Sequence, residues 1–271
     1  PYLFRFPQVW KLGPVGVMPY GTEMRHAQIE SAGIGKYQVV ETALLDAYSR
    51  FSADIQIARK LFDGMSERTV VTWTAMISGY TRVGQIGDAI LLFEEMSECE
   101  RDPPFWNSII AGCTQNGLFS EAISFFRRMV LEENMSRRNR PDQVTVLCAL
   151  SACGHSGLLQ LGKSIHGYVY RNSLSLNKFV SNALVDVYGK CGSLKEARRV
   201  FDQTQNPTLT SWNSMINCYA LHGKSESAIS VFEEMLECAD QVEPDGVTFV
   251  GLLNACTHVG LVEQGRHYYD M

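Results

Sequence analysis

The chain has 271 residues, 45% of them hydrophobic and 20% charged, and carries a net charge of −5. Nine prolines are too few for a disordered chain, and no apolar run approaches a membrane span of about 20 residues. The acidic balance argues against a non-specific nucleic-acid binder, which is usually basic, but leaves room for a protein that reads single-stranded bases along a local groove.

Residues 1–37 contain His26-Ala27-Gln28, similar to His166-Gly167-Tyr168 further on, but no recognisable first helix. They read as a degenerate or partial repeat. The opening stretch holds Arg5 and Lys11 and no acid, yet it is rich in Pro, Gly and aromatics where a transit peptide is rich in Ser and Arg. The first residue is Pro, so an incomplete N-terminus is expected, and the last unit breaks off inside its second helix at Met271.

From residue 38 the sequence repeats, and repetition fixes the fold class before any local signal. Gly84, Gly117, Gly157, Gly192, Gly223 and Gly260 recur at intervals of 33, 40, 35, 31 and 37 residues. Five positions after each glycine stands Ala89, Ala122, Gly162, Ala197, Ala228 or Gly265. Four further on stands Phe93, Phe126, His166, Phe201, Phe232 or Tyr269. Seven before each glycine stands Ile77, Ile110, Leu150, Val185, Ile216 or Leu253. Residues 38–69 form one more unit, with Ser52 in place of the glycine and one extra residue before Ala58.

Each unit reads as two helices. Trp212, Met215, Ile216 and Tyr219 lie at i, i+3, i+4 and i+7, Gly223 serves as a stop or left-handed turn, and Ala228, Ile229, Val231, Phe232 and Met235 mark the second stripe. Neither helix buries its stripe alone, so the units must stack into an all-α, right-handed α-solenoid of helix-turn-helix repeats. Trp73, Trp106 and Trp212 lie on the apolar stripe, which favours packing over base stacking. Eight cysteines without a CxxC pair read as free thiols of a reducing compartment. Cys113, Cys153, Cys218 and Cys256 fall inside apolar patterns as small packing residues. The Cys153/His155 and Cys256/His258 pairs occupy one repeat position in different units, whereas a zinc site needs about four converging ligands. No phosphate loop, nucleophile motif or carboxylate constellation appears, so no catalytic residue, metal, cofactor or small-molecule substrate is expected.

The stretches VVTWTAMISGY (70–80), NALVDVYGKCGSLKEARRVF (182–201), SWNSMINCYALHG (211–223) and PDGVTFVGLLNACTHVGLVEQG (244–265) resemble plant pentatricopeptide repeat proteins. The resemblance covers residues 21–271 and is to the subclass that mixes repeats of three lengths, the editing-factor type. Units 38–69, 70–102 and 178–208 resemble its short kind, 103–142 and 209–245 its standard kind, and 143–177 and the truncated 246–271 its long kind. Tetratricopeptide repeats have a similar period, but their W-x2-L-G-x2-Y signature is missing.

The resemblance implies single-stranded organellar RNA as the partner, one base per repeat, in a mitochondrion or chloroplast. It further implies site recognition for C-to-U editing, with editing-complex proteins as additional partners. The deaminase signature of H-x-E and C-x-x-C is not in this sequence. The implied base readers are Thr74 with Asp102, Asn107 with Asp142, Asn182 with Thr208, and Asn213 with Asp245. Thr42 with Thr69 is a secondary pair, and Val71 and Val144 are secondary candidates to wedge between bases. The family's pairing rule implies guanine at 70–102, uracil at 103–142 and 209–245, and a weak pyrimidine preference at Asn182. Leu147 offers no polar group, so its unit is expected to act as a spacer.

Taken singly, Asn, Thr and Asp near a helix start are ordinary caps. Their recurrence in register turns the reading toward RNA. Arg137, Arg138, Arg140, Lys195, Arg198 and Arg199 are basic groups that phosphates would attract. The competing reading is a helical-repeat scaffold for protein partners, which the acidic charge favours.

Overall fold

A computed structural model describes residues 37–52, 54–97, 101–136, 140–172, 174, 177–238 and 242–270. The expected degenerate repeat at 1–37 thus lies, save for Tyr37, outside the described residues, as do Arg137 and Arg138. The described residues form fourteen α-helices and no strand, an all-α repeat solenoid. They fall into two compact units, one ending at Leu92 and the other beginning at Phe93.

The first unit holds α1 (Gln38–Phe51), α2 (Ile55–Gly64), α3 (Val70–Arg82) and the start of α4 (Ile86–Glu95). Helix α1 packs on both α2 and α3. Leu45, Ala58, Phe62, Met76 and Ile77 are fully enclosed between them. Phe62 meets Trp73 edge-on at 4.9 Å. The turn after α1 lacks glycine and runs extended at Ser52 instead. There the Asp54 amide donates to Ser52 Oγ at 3.1 Å, and the Asp54 carboxylate caps α2 by accepting from Gln56 N at 2.9 Å. The extra residue in this unit is accommodated in that capped turn.

The second unit comprises α5 (Pro103–Gln115), α6 (Phe119–Ser136), α7 (Gln143–His155), α8 (Leu159–Arg171), α9 (Lys178–Lys190), α10 (Leu194–Asp202), α11 (Leu209–Leu221), α12 (Ser225–Glu237), α13 (Gly246–Val259) and α14 (Val262–Asp270). One rule covers its packing. The first helix of a pair touches its own second helix, and both touch the first helix of the next pair. That makes α5, α7, α9, α11 and α13 one continuous layer.

All six register glycines have positive φ, from +64° to +78°. Gly117 shows why they are needed. Its amide donates to Thr114 O, and the Leu118 amide reaches back to Cys113 O at 2.9 Å, closing the end of α5 in a left-handed turn. An L side chain is costly in that conformation.

The small residue that follows lies at the closest helix approach, where Ala122, Ala197 and Ala228 have no exposed surface. The aromatic four positions on then packs against the next first helix. Phe93 meets Trp106 at 4.8 Å, Phe201 meets Trp212 at 4.9 Å and Phe232 meets Phe249 at 6.0 Å. The tryptophans are therefore packing residues, with Trp106 wholly enclosed. Tyr269 departs from the expected pattern and is 79% exposed. No further first helix covers it among the described residues, and its neighbour Tyr268 packs on Phe232 at 5.6 Å instead. Cys113, Cys153, Cys218 and Cys256 are buried as expected.

Candidate nucleic-acid interface

Two first helices of the second unit start with aspartate caps that also connect neighbouring pairs. Asp142 precedes α7 and accepts from Thr145 N at 2.9 Å, while its own amide donates to Thr145 Oγ1 at 3.1 Å. Asp245 precedes α13 and makes the same pair of bonds with Thr248, at 3.0 and 3.1 Å. Such a box satisfies two amides that a helix start would leave unpaired.

Each boxed aspartate also receives an asparagine from the preceding first helix. Asn107 Nδ2 lies 3.0 Å from both carboxylate oxygens of Asp142. Asn213 Nδ2 donates to Asp245 Oδ1 at 3.1 Å. These are two of the expected reader pairs. Hydrogen bonds into Asp245, led by the one from Thr248 N and joined by that from Asn213, hold its carboxyl below the usual aspartate range.

The other expected readers are arranged differently. Thr74 Oγ1 donates to Val70 O at 2.7 Å, so its proton stays within α3 and its lone pairs are what it presents. Asp102 caps α5 through Phe105 N at 2.9 Å. Thr74 and Asp102 belong to the first and second units respectively. Thr42 Oγ1 donates to Gln38 O at 2.8 Å, and Thr69 Oγ1 accepts from Thr72 N at 3.4 Å as the cap of α3. Among the described residues no hydrogen bond joins Asn182 to Thr208; Thr208 N instead donates to Ser211 Oγ at 3.1 Å.

The second residue of the first helix is apolar and exposed in several pairs, though it is Pro104 before Asn107 and Thr210 before Asn213. Val71 and Val144 hold this position, exposed at 62% and 49%. The same position carries exposed Phe179 and Val247 in the second unit. The sequence signal for those two was available in their register but is easily missed, because a lone apolar residue at a helix start looks like noise. Exposure of apolar side chains at matched positions forms a periodic row, which points to a use outside the core.

A groove of about 740 Å³ runs along α9, α11 and α13, and Asn213, Asn217, Asp245, Val247, Asn254 and His258 line it together with Asp186 and Lys190. Lys190 Nζ sits 2.8 Å from Asp186 Oδ2. The groove thus sets several carboxamides among apolar side chains such as Leu209 and Leu221, and its one lysine is ion-paired.

Of the basic groups expected to attract phosphates, Lys195, Arg198 and Arg199 lie on α10 and do not line this groove. Arg198, on the second helix α10, forks onto Glu234 at 3.1 and 2.8 Å and also pairs with Asp202. Lys163 with Glu196 and Arg128 with Glu94 repeat this link between successive second helices. These arginines and lysines brace the stack.

Stacked helix pairs closed by left-handed glycines define a helical-repeat scaffold. Residues 207–258 match a family model described as the PPR repeat family, and residues 71–100, 105–133 and 179–205 match one described as the PPR repeat. A pentatricopeptide repeat-containing protein of Arabidopsis thaliana is 54% identical across the full chain, which covers 49% of that protein. Another from the same plant, named CRR2, chloroplastic, is 36% identical over 90% of the chain and 31% of its own length. The chain thus spans about half, or less, of the curated relatives it matches. The solved structure of maize PPR10 in complex with an 18-nt psaJ RNA element superposes with a TM-score of 0.60 at 19% identity, covering 96% of this chain and 43% of that one. That likeness is one of fold. On these matches the chain belongs to the pentatricopeptide repeat family, of plant type.

Proposed function

We propose that the layer of first helices binds single-stranded RNA and reads bases at Asn107–Asp142 and Asn213–Asp245. The observation that carries this reading is the pairing itself: a carboxamide and a carboxylate from successive helix pairs, joined in register and, for Asn213 and Asp245, lining an open groove. The carboxylate only accepts hydrogen bonds, so it suits a base with N–H at the centre of its pairing edge and repels one with a lone pair there. Uracil has that N–H; cytosine does not. The asparagine adds a free N–H for the flanking carbonyl. Exposed Val144, Phe179 and Val247 supply apolar faces for the rings.

Thr74, Asp102, Asn182 and Thr208 fill the equivalent positions in the remaining units and are proposed as readers on register alone, with Thr42 and Thr69 secondary. The units of unequal length fit the mixed-length subclass, and with it site recognition for C-to-U editing in an organelle, alongside editing-complex proteins. A relative named chloroplastic and another named chloroplastic/mitochondrial support the organellar assignment. The second reading, a scaffold for protein partners, is favoured by the net charge of −5.

The two separate on titration of the intact protein against single-stranded RNAs that differ at one base. In the RNA reading, Asp245→Asn shifts the preference at that position from uracil toward cytosine while binding persists. Comparable affinity for unrelated RNAs sinks sequence-specific reading.

A further inference from the structure

The buried threonines behind the two reader pairs do more than close a capping box. Thr145 and Thr248 have no exposed surface, so neither touches a ligand. Yet Thr145 Oγ1 lies 2.5 Å from Asn107 Oδ1, and Thr248 Oγ1 lies 2.6 Å from Asn213 Oδ1. Each hydroxyl has one proton and two candidate acceptors, the asparagine oxygen and the aspartate Oδ1, which stands at 3.0 Å in both cases. The shorter contact takes the proton. The aspartate oxygen is already supplied by a backbone amide, and the hydroxyl lone pair accepts the aspartate's own N–H.

Turning either carboxamide over would set its oxygen against the carboxylate and leave the hydroxyl proton facing an NH2 group. The threonine therefore fixes which end of the asparagine points which way. It does so only where three residues coincide. Thr72 follows a threonine cap and donates to Thr69 O at 2.8 Å. Ser211 bonds back to Thr208, and among the described residues no hydrogen bond joins it to Asn182. Position 105, after Asp102, is a phenylalanine with no hydroxyl.

We infer that Thr145 and Thr248 are positioning residues that set base specificity by locking the carboxamides of Asn107 and Asn213 in one orientation. This deepens the RNA reading above and rests on it. A carboxamide free to turn over presents N–H or C=O to a base with similar ease and discriminates poorly. A locked one presents its second N–H to the base edge every time.

The test is base discrimination in the intact protein, measured separately at the Asn213 and Asn107 positions with RNAs mismatched at one base. Thr248→Val keeps the buried volume and removes the hydroxyl. It is expected to lower discrimination at the Asn213 position roughly five- to tenfold, as for a lost neutral hydrogen bond. Discrimination at Asn107 and affinity for the matched RNA stay near the starting values. Thr248→Ser, which restores the hydroxyl, is expected to restore discrimination. Unchanged discrimination in Thr248→Val, or an equal loss at both positions, overturns the inference while leaving the RNA reading in place. No discrimination at either position in the unsubstituted protein overturns that reading and this inference with it.

Discussion

Asn213 and Asp245 lie on consecutive helix pairs and are joined by a hydrogen bond of 3.1 Å. On the proposed reading, a repeat does not own its reader. The carboxamide comes from one pair, and the carboxylate caps the first helix of the next. The same holds for Asn107 and Asp142.

That bond makes the site sensitive to acid in a definite direction. The folded Asp245 carboxyl is held below its usual range, first by the Thr248 amide and then by Asn213. A depressed carboxyl contributes stability above its unfolded value of about 3.9, and the contribution is lost as pH falls through the lower folded value. The tether is therefore expected intact at pH 5 and lost below the ordinary aspartate range. Carboxyl chemical shifts through an acid titration measure this, and Asn213→Ala should raise the Asp245 midpoint.

Gly117→Ala tests the turns. The glycine has φ +75°, and a Cβ added there meets nothing within 4 Å, so any cost is conformational. The expected loss is about 1–2 kcal/mol in thermal or denaturant unfolding. Gly117→Asn should lose less, because asparagine visits the left-handed region more readily.

Gly189→Ala tests the layer of first helices. Its Cβ would sit 2.7 Å from Cys218 Sγ and 3.1 Å from Cys218 Cβ, wedging α9 from α11. Overpacking of this kind costs about 1–3 kcal/mol. Cys218→Ala removes the sulfur but not the Cβ, so the double variant should recover part of the loss. A positive coupling energy in the cycle verifies the contact.

The buried thiols should be inert. Desolvation pushes Cys153 and Cys218 up to about 12 and Cys113 to about 11. Almost no thiolate exists at pH 8, so among the described cysteines alkylation of the native protein should reach exposed Cys238 first and these three only on unfolding. Peptide mapping after timed iodoacetamide treatment reads the order.

RNA binding should depend only shallowly on salt. Each phosphate neutralised on a single strand contributes about −0.7 to the slope of log K against log salt. The described lining of the groove offers Lys190, already paired with Asp186, and His258. A slope smaller in magnitude than about 2 is expected.

The helix pairs and their turns were legible in the sequence because glycine, alanine and aromatic side chains each answer a steric demand that recurs at a fixed place. The expected roles of Trp73, Trp106 and Trp212 held for the same reason. The reader pairs were visible as a register, but their bonds were not, since Asn107 meets Asp142 only after the chain has gone out and back through α6. Thr145 and Thr248 escaped notice because a threonine three residues after an aspartate is an ordinary capping signal; its second partner lies on another helix. The pairing of Arg198 was hidden for the same reason. Its charge suggested a phosphate, and only packing brings Glu234 beside it.

On the proposed reading, the shared pair also decides where such a chain can be cut and rejoined. A cassette exchanged at the conventional end of a repeat, after Asp142 or Asp245, separates the aspartate from the threonine that boxes it and imports a stranger at that position. A cassette running from just before Asn107 to just after Thr145 carries asparagine, aspartate and threonine together. Recombination at those boundaries would move a specificity intact, and the joints would fall within first helices, not in the loops between pairs.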